Sequence, residues 1–214
     1  MAVTPLDGVL LVDKPEGPTS HDIVAIARRA LGLKRIGHAG TLDPMATGLL
    51  VLMIGRATRL ATFLSGMDKT YRGTLRLGVA TDTFDRDGTP VGPPRPVQAD
   101  EAALRAAFER FQGTVTQVPP VFSAKKVHGT PMYRLARRHK PVSPTPTMVT
   151  FRRLEFLGFS GTEVAFEAQV SAGTYLRSFA HDLGEILGCG AHLDSLRRTA
   201  AGPFTVEGAL TPDE

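Results

Sequence analysis

The chain has 214 residues, of which 42% are apolar and 21% charged, so it resembles ordinary globular proteins and is long enough to bury a core. Its formal net charge of +4 and isoelectric point near 9.5 favour a polyanionic partner such as nucleic acid. No apolar run is long enough to cross a bilayer, the N-terminus lacks a basic-then-apolar leader, and the single cysteine cannot form an internal disulfide. We therefore expect a cytoplasmic protein without membrane association.

The first part of the chain alternates strand and helix patterns. Residues 8–13 form a short apolar run typical of a strand, and a helix is predicted over 21–31, with Thr19 or Ser20 as its cap. Residues 48–54 are continuously apolar, which predicts a buried strand.

The remaining elements follow from the same periodicities. The sequence predicts helices over 56–60, 100–111 and 178–187, strands over 68–77, 149–157 and 163–170, and a loop over 81–97. Alternating and continuously apolar strands interleaved with helices indicate an α+β fold with a mixed, largely antiparallel central sheet flanked by helices.

The loop that follows the first predicted helix carries the densest chemistry. Residues 35–44 combine Gly37, Gly40, a histidine and Asp43, and Pro44 fixes the turn directly after the carboxylate. A carboxylate held on a rigid loop before a buried strand suits a nucleophile. The alternative, equally weighted on the residues alone, is an aspartate that caps its own backbone.

Basic residues form the second candidate site. Arg134 and Arg137 lie in a basic segment over 133–140, where a helix would present a positive face to phosphate groups. A solvated charged face is the alternative. Lys14, in the turn after the first strand, is either a further phosphate contact or an exposed turn lysine. The six histidines show no metal-ligand spacing.

Several motifs together resemble the TruB family of tRNA pseudouridine synthases, over residues 8–203. The motifs are Lys14-Pro15, Gly37-His38-Ala39-Gly40-Thr41-Leu42-Asp43-Pro44, Asp68-Lys69-Thr70-Tyr71, Ser123-Ala124-Lys125 and Gly173-Thr174-Tyr175-Leu176-Arg177. The resemblance implies the pseudouridine synthase fold and the isomerisation of uridine 55 in the T loop of tRNA, with flipping of the base. It implies no cofactor and no metal, because isomerisation exchanges no electrons. It also implies a monomer that binds the tRNA stem-loop and needs no protein partner.

The resemblance assigns three catalytic residues. Asp43 matches the essential aspartate, which acts on the ribose either at C1′ as a nucleophile or at C2′ as a base. Arg177 matches the arginine that pairs with this aspartate and favours its ionised form. Tyr71 matches the tyrosine that stacks on the extruded base, although a strand tyrosine on its own is more often part of the core.

Six further residues are expected to contact RNA. His38 resembles the histidine that enters the T loop in place of the flipped base, and Leu196 an apolar residue that lines the base pocket. The expected phosphate contacts are Lys14, Lys125, Arg134 and Arg137.

The sequence departs from the family at its end. Most bacterial members carry a small RNA-binding domain of PUA type after the catalytic core, whereas this chain stops at Glu214. We therefore expect one catalytic domain over 1–214 without the PUA-type domain, in a naturally short or a truncated form.

Two other classes of function compete. An RNA-binding module without turnover would not require Asp43, Tyr71 and Arg177 together. A glycoside-type hydrolase would require a second carboxylic acid to protonate the leaving group, and none stands beside the motif.

Overall fold

The computed structural model describes residues 6–123, 125–127, 129–136, 138 and 143–214. The chain forms two compact units. The first contains the residues up to Arg72 together with Leu196–Glu214, and the second contains Gly73–Ser195. None of the helices in these described ranges is both long and apolar enough to span a membrane.

The elements are, in chain order, β1 (Gly8–Lys14), α1 (Ser20–Leu31), β2 (Ile36–His38), β3 (Thr47–Ile54), a 3₁₀ helix (Gly55–Leu60), α2 (Ala61–Ser65), β4 (Lys69–Leu77), α3 (Glu101–Glu109), β5 (Gly113–Gln117), β6 (Lys126–Val127), β7 (Thr130–Pro131), α4 (Met132–Ala136), β8 (Thr147–Ser160), β9 (Glu163–Val170), α5 (Leu176–Ile186), β10 (Ala191–Ala201) and β11 (Phe204–Thr205). Strands β4 and β10 each run from one unit into the other.

Strand β3 is the centre of the first unit. It pairs antiparallel with β1, from Gly8 opposite Ile54 to Lys14 opposite Gly48, and antiparallel with β2. Its other neighbour is β10, which runs parallel to it. Every residue of β3 after Thr47 is buried. The continuous apolar run therefore predicted a buried strand correctly.

Helix α1 packs beside this sheet with well-formed ends. Thr19 caps it and forms a reciprocal capping box with Asp22, and Gly32 ends it in the left-handed conformation with φ of 65°. Its buried face includes Ile23 and Val24. The predicted helix and its cap are confirmed.

The second unit combines a sheet with an aromatic core. Strand β9 lies between β4 and β8, and β8 pairs antiparallel with β9 and with β5. Phe179 of α5 is fully buried among phenylalanine rings from helices and strands, mostly in edge-to-face contact. The predicted α3, capped by Asp100, and the predicted β8–β9 pair are confirmed.

The mixed sheet, with mostly antiparallel strands and flanking helices, confirms the expected fold class. Several details differ from the sequence prediction, among them the following. Residues 55–60 form a 3₁₀ helix, strand β10 was not predicted, and Ile36–His38 form a strand within the expected loop. The single catalytic domain over 1–214 without a PUA-type domain stays a prediction.

Candidate active site

In the first unit, the loop between β2 and β3 carries Asp43, and hydrogen bonds fix the backbone on both sides of it. The hydroxyl of buried Ser20 accepts from the amide of Leu42 at 2.8 Å and donates to its carbonyl at 3.1 Å. The amide of Gly17 donates to the carbonyl of Pro44 at 2.9 Å. The half-buried Asp43 therefore lies on a backbone that is held from both directions.

Lys14 is the third support of this loop. The residue is fully buried, and its ammonium donates to the carbonyls of Pro15, Pro18 and Pro44 at 2.8, 2.9 and 3.3 Å. Burial lowers the pKa of Lys14, while attraction to the Asp43 carboxylate acts in the opposite direction. The alternative of an exposed turn lysine is wrong. Because an ammonium has three hydrogens and all three are directed at carbonyls, Lys14 holds the turn instead of extending toward phosphate.

Arg198 of β10 supports the start of the same loop. It is 1% exposed, and its guanidinium donates to the carbonyls of Leu49 at 2.6 Å and Gly40 at 3.2 Å. Gly40 has φ of 105°, a backbone conformation that side chains rarely adopt. The carbonyl groups at the beginning of the loop and in β3 are thus joined through one buried cation.

Lys69, at the start of β4, is another buried cation in this unit. Its ammonium donates to the carbonyls of Ser65 and Met67 at 2.5 Å each. Burial, assisted by repulsion from Arg198, lowers the pKa of Lys69 to about 8. Gly40 adjoins both cations, because a Cβ there would lie 3.7 Å from Lys69 Cε and 3.5 Å from the Arg198 guanidinium.

His38, at the end of β2, is half-buried and lies edge-to-face with His21, with ring centroids 6.0 Å apart. Burial lowers the pKa of His38, and the neighbouring His21 and Arg198 lower it further. The imidazole is therefore neutral at pH 7. Its Nδ1 is buried without a hydrogen-bond partner in the described part of the chain.

Tyr71 and Leu196 both belong to the first unit, where they lie on the neighbouring strands β4 and β10, and both are half-buried. The hydroxyl of Thr199 donates to the carbonyl of Thr70 at 3.3 Å, which joins the two strands beside Tyr71. The carbonyl of Leu196 accepts from the hydroxyl of Thr47 at 3.5 Å, next to the loop.

Arg177 belongs to the second unit, in the first turn of α5, and is 4% exposed. Its guanidinium lies 3.6 Å from the buried Asp85 carboxylate and donates to the carbonyls of Thr83 at 3.1 Å and Phe122 at 2.9 Å. The Asp85 carboxylate also accepts from the hydroxyl of Thr83 at 2.6 Å. This ion pair orients the guanidinium. The pairing of Arg177 with Asp43 stays a prediction.

The expected phosphate contacts of the second unit lie near α4. The Lys125 ammonium donates to the carbonyl of Thr145 at 3.3 Å, and Arg134 is exposed on α4. Arg137 lies outside the described residues. Across the ranges that are described, no three His, Cys, Asp or Glu side chains are grouped as metal ligands would be.

The sequence motifs did not predict a functional role for Arg198, Lys69 or Asp85. Charged residues are usually exposed, so the burial of an arginine or a lysine cannot be predicted when its partner is not apparent from the sequence. Two signals were present: Arg198 lies within a run that ends in the apolar Ala200 and Ala201, and Lys69 belongs to the matched motif Asp68-Lys69-Thr70-Tyr71.

Solved structures share this fold. The chain matches Cbf5 complexes, including a crystal structure of a Cbf5-Nop10-Gar1 complex (TM-score 0.74, 32% identity, 95% of this chain) and one of the archaeal box H/ACA sRNP Nop10-Cbf5 complex (TM-score 0.70, 31% identity, 96% of this chain). The chain spans about half the length of each of these solved chains, 52% and 51%.

Two family models account for most of the sequence. Residues 28–176 match the N-terminal domain of the TruB family of pseudouridylate synthases, and residues 177–214 match the tRNA pseudouridylate synthase B C-terminal domain. The fold and these matches define the class as an RNA-modifying isomerase.

Curated relatives match this chain over nearly all of its length. Proteins named tRNA pseudouridine synthase B are 50% identical in Opitutus terrae, over 97% of this chain and 86% of that protein, and 49% identical in Burkholderia pseudomallei, over 100% and 70%. A third, from Solibacter usitatus, is 47% identical over 98% of this chain and 71% of that protein. The chain belongs to the TruB family of pseudouridylate synthases.

Proposed function

We propose that this protein isomerises uridine 55 in the T loop of tRNA to pseudouridine. The observation that carries the proposal is the fixed position of Asp43, whose neighbours Leu42 and Pro44 are both held by hydrogen bonds, those of Leu42 being buried. A reacting carboxylate benefits from such a scaffold, because orientation that is fixed in advance lowers the entropic cost of reaching the transition state.

The proposed chemistry breaks the bond between ribose C1′ and uracil N1 and forms one between C1′ and uracil C5. Cleavage builds positive charge on the ribose, which the Asp43 carboxylate stabilises, either by attack at C1′ or by removing the C2′ proton. In the first route the bond between Asp43 and C1′ breaks as C5 attacks C1′, and in the second the proton taken from C2′ is returned to it. The C5 proton is then lost and N1 gains a proton, so the reaction has no net change in composition. A 2′-deuterated substrate distinguishes the two routes, because only proton removal gives a primary isotope effect.

The other site residues act on the RNA in this proposal. Tyr71 stacks on the extruded uracil, which returns roughly 1–3 kcal/mol toward the cost of unstacking the base. His38 enters the T loop as a neutral hydrogen-bonding group, for which its lowered pKa provides support. Leu196 lines the base pocket, and Arg177 stabilises the anionic Asp43.

The proposed substrate is the T stem-loop, bound by a monomer without an obligatory protein partner, in the cytoplasm. The net charge of +4 supports an RNA ligand. Lys125, Arg134 and Arg137 are the proposed phosphate contacts.

The test is incubation of the purified chain with a T stem-loop RNA, followed by nuclease digestion and mass spectrometry after derivatisation that labels pseudouridine. We expect one labelled pseudouridine per RNA at position 55 and none in a control RNA with cytidine there. Release of free uracil would indicate a hydrolase, and binding without any product would indicate an RNA-binding module. Either result would overturn the proposal.

A further inference from the structure

Among the residues that the structure describes, Phe84 is the only one other than glycine with a positive φ, of 65°. A bulky residue in this conformation is a genuine outlier and requires its surroundings to hold it there. Phe84 lies within the loop of the second unit, between β4 and α3.

Two sets of contacts hold the residue. Its ring stacks on that of His181, with centroids 4.0 Å apart and an angle of 13° between the planes. Its carbonyl accepts from the amide of Leu193 at 2.9 Å. The Nδ1 of His181 is buried without a hydrogen-bond partner among the residues that the structure describes. His181 therefore contacts Phe84 through the flat face of its ring.

The turn at Phe84 determines what Arg177 contacts. The residue before it, Thr83, offers its carbonyl to Arg177 Nη1 at 3.1 Å, and the residue after it, Asp85, brings its carboxylate to 3.6 Å from the same nitrogen. A left-handed residue between the two turns both oxygens toward one guanidinium.

Helix α5 supplies both partners of this turn. His181 follows Arg177 by four residues, so the two side chains lie on the same face of the helix. The ring stack and the contacts to the guanidinium therefore join the same loop to the same helical face.

We propose that Phe84 and His181 are positioning residues for Arg177: their stack keeps the left-handed turn closed on the guanidinium and so sets its orientation. This inference rests on the proposed function, in which Arg177 acts in catalysis. Neither ring needs to contact RNA.

The test compares ring removal with ring exchange, using T stem-loop RNA and measuring kcat and KM separately. We expect Phe84→Ala and His181→Ala to lower kcat by about 10-fold to 100-fold, because small displacements of a catalytic group have effects of that size. We expect KM to change less than about 3-fold, since RNA contacts are unaffected. His181→Phe, which keeps a flat ring, and the exchange F84H/H181F, which keeps the pair, should retain kcat within about 3-fold of wild type. Histidine is also tolerated in the left-handed region.

Several outcomes would overturn the inference. Unchanged kcat in Phe84→Ala, or loss in the exchange variant as large as in Phe84→Ala, would exclude positioning by the stack. Should Phe84→Ala fail to fold, His181→Ala and the exchange variant still decide. If Arg177→Ala is inactive while both single alanine variants are normal, this inference alone fails. If wild type makes no pseudouridine, the proposed function fails and this inference falls with it.

Discussion

At the scale of single residues, buried cations hold the backbone within each of the two units. Lys14, Lys69, Arg177 and Arg198 are each nearly inaccessible to solvent, and each donates to backbone carbonyls. Burying a charge is costly unless other groups replace its hydration, and the carbonyl oxygens do so here. These cations therefore fix backbone segments within their own units, and the proposed phosphate contacts come from other residues, such as the exposed Arg134.

Lys69 predicts how stability depends on pH. Its pKa is about 8 in the folded protein against an ordinary value of 10.5, so between these values the unfolded chain holds more protons than the folded one. The free energy of unfolding therefore rises with pH over this window. Well below pH 8 Lys69 is protonated in both states, so it adds no pH dependence there. We expect the rise from pH 8 to pH 10 to be smaller in Lys69→Met by up to about 2 kcal/mol. Urea titrations at both pH values measure it, and equal rises in the two proteins would contradict the low pKa.

Arg177 is expected to act in turnover more than in binding. Arg177→Ala should lower kcat by more than about 100-fold, since electrostatic stabilisation of the reacting site is lost, with RNA affinity largely retained. Single-turnover kinetics and a filter-binding titration separate the two effects. Near-native turnover would show that the pairing with Asp43 is wrong.

Asp85 gives a related prediction for stability. Asp85→Asn removes the carboxylate charge that lies 3.6 Å from the buried Arg177 guanidinium, and should lower the free energy of unfolding by about 3 kcal/mol. Glu101→Gln is the matched control, because its ion pair with Arg105 is exposed and should contribute less than about 1 kcal/mol. Equal effects of the two changes would show that burial does not strengthen the Asp85 pair.

The sequence identified single residues where a motif fixes their chemistry, as with the glycines and proline around Asp43. It did not predict the burial of Lys14, because the three carbonyls that receive its ammonium come together only when the turn and the loop fold against each other. Asp85 was missed for the same reason, since its partner Arg177 is distant in sequence.

At the scale of elements, the parallel pairing of β3 and β10 holds the start of β3, which follows the loop that carries Asp43. Gly48 has φ of 94°, and a Cβ there would collide with the backbone carbonyl of Arg198. Gly48→Ala should lower the free energy of unfolding by more than about 2 kcal/mol and reduce activity, because the loop carrying Asp43 would shift. Gly208→Ala is the control: φ is 77° but the space is open, so about 1 kcal/mol is expected. Thermal unfolding and kcat report both, and equal destabilisation would exclude close strand packing as the cause.

Periodicity predicted the elements that obey a simple pattern. β3 is a continuous apolar run, and α1 begins at a capping box, so both were assigned correctly. β10 was missed because a strand between two others is expected to be apolar, whereas this one contains His192, Asp194 and Arg198. Partners elsewhere in the fold satisfy these polar groups: the carbonyl of Val79 contacts His192, and Arg76 contacts Asp194.

The charge of the whole molecule governs RNA binding in the proposed function. Each phosphate contact releases counterions, so affinity should fall as salt rises, with the logarithmic slope reduced by about 1 when one contact is removed. We expect Lys125→Ala and Arg134→Ala each to weaken binding about equally for different T-loop sequences, with kcat at saturating RNA unchanged. Titrations between 50 and 200 mM salt, which is roughly the informative range, measure the slope. A slope identical to that of wild type would show that the residue does not contact phosphate.

The family was evident from ordered motifs spread over the chain, whereas the division into two units was not. Contacts such as those of Leu196–Glu214 with the N-terminal residues join distant parts of the sequence, and no local pattern encodes them.

The most direct test of the proposed function is pseudouridine formation by Asp43→Asn under single-turnover conditions with T stem-loop RNA. Asparagine preserves the size of the side chain but removes the negative charge and the nucleophilic oxygen. We expect product formation to fall by more than about 1,000-fold while the RNA dissociation constant stays within about 3-fold of wild type. Product formation at the wild-type rate would contradict the central role of the Asp43 carboxylate.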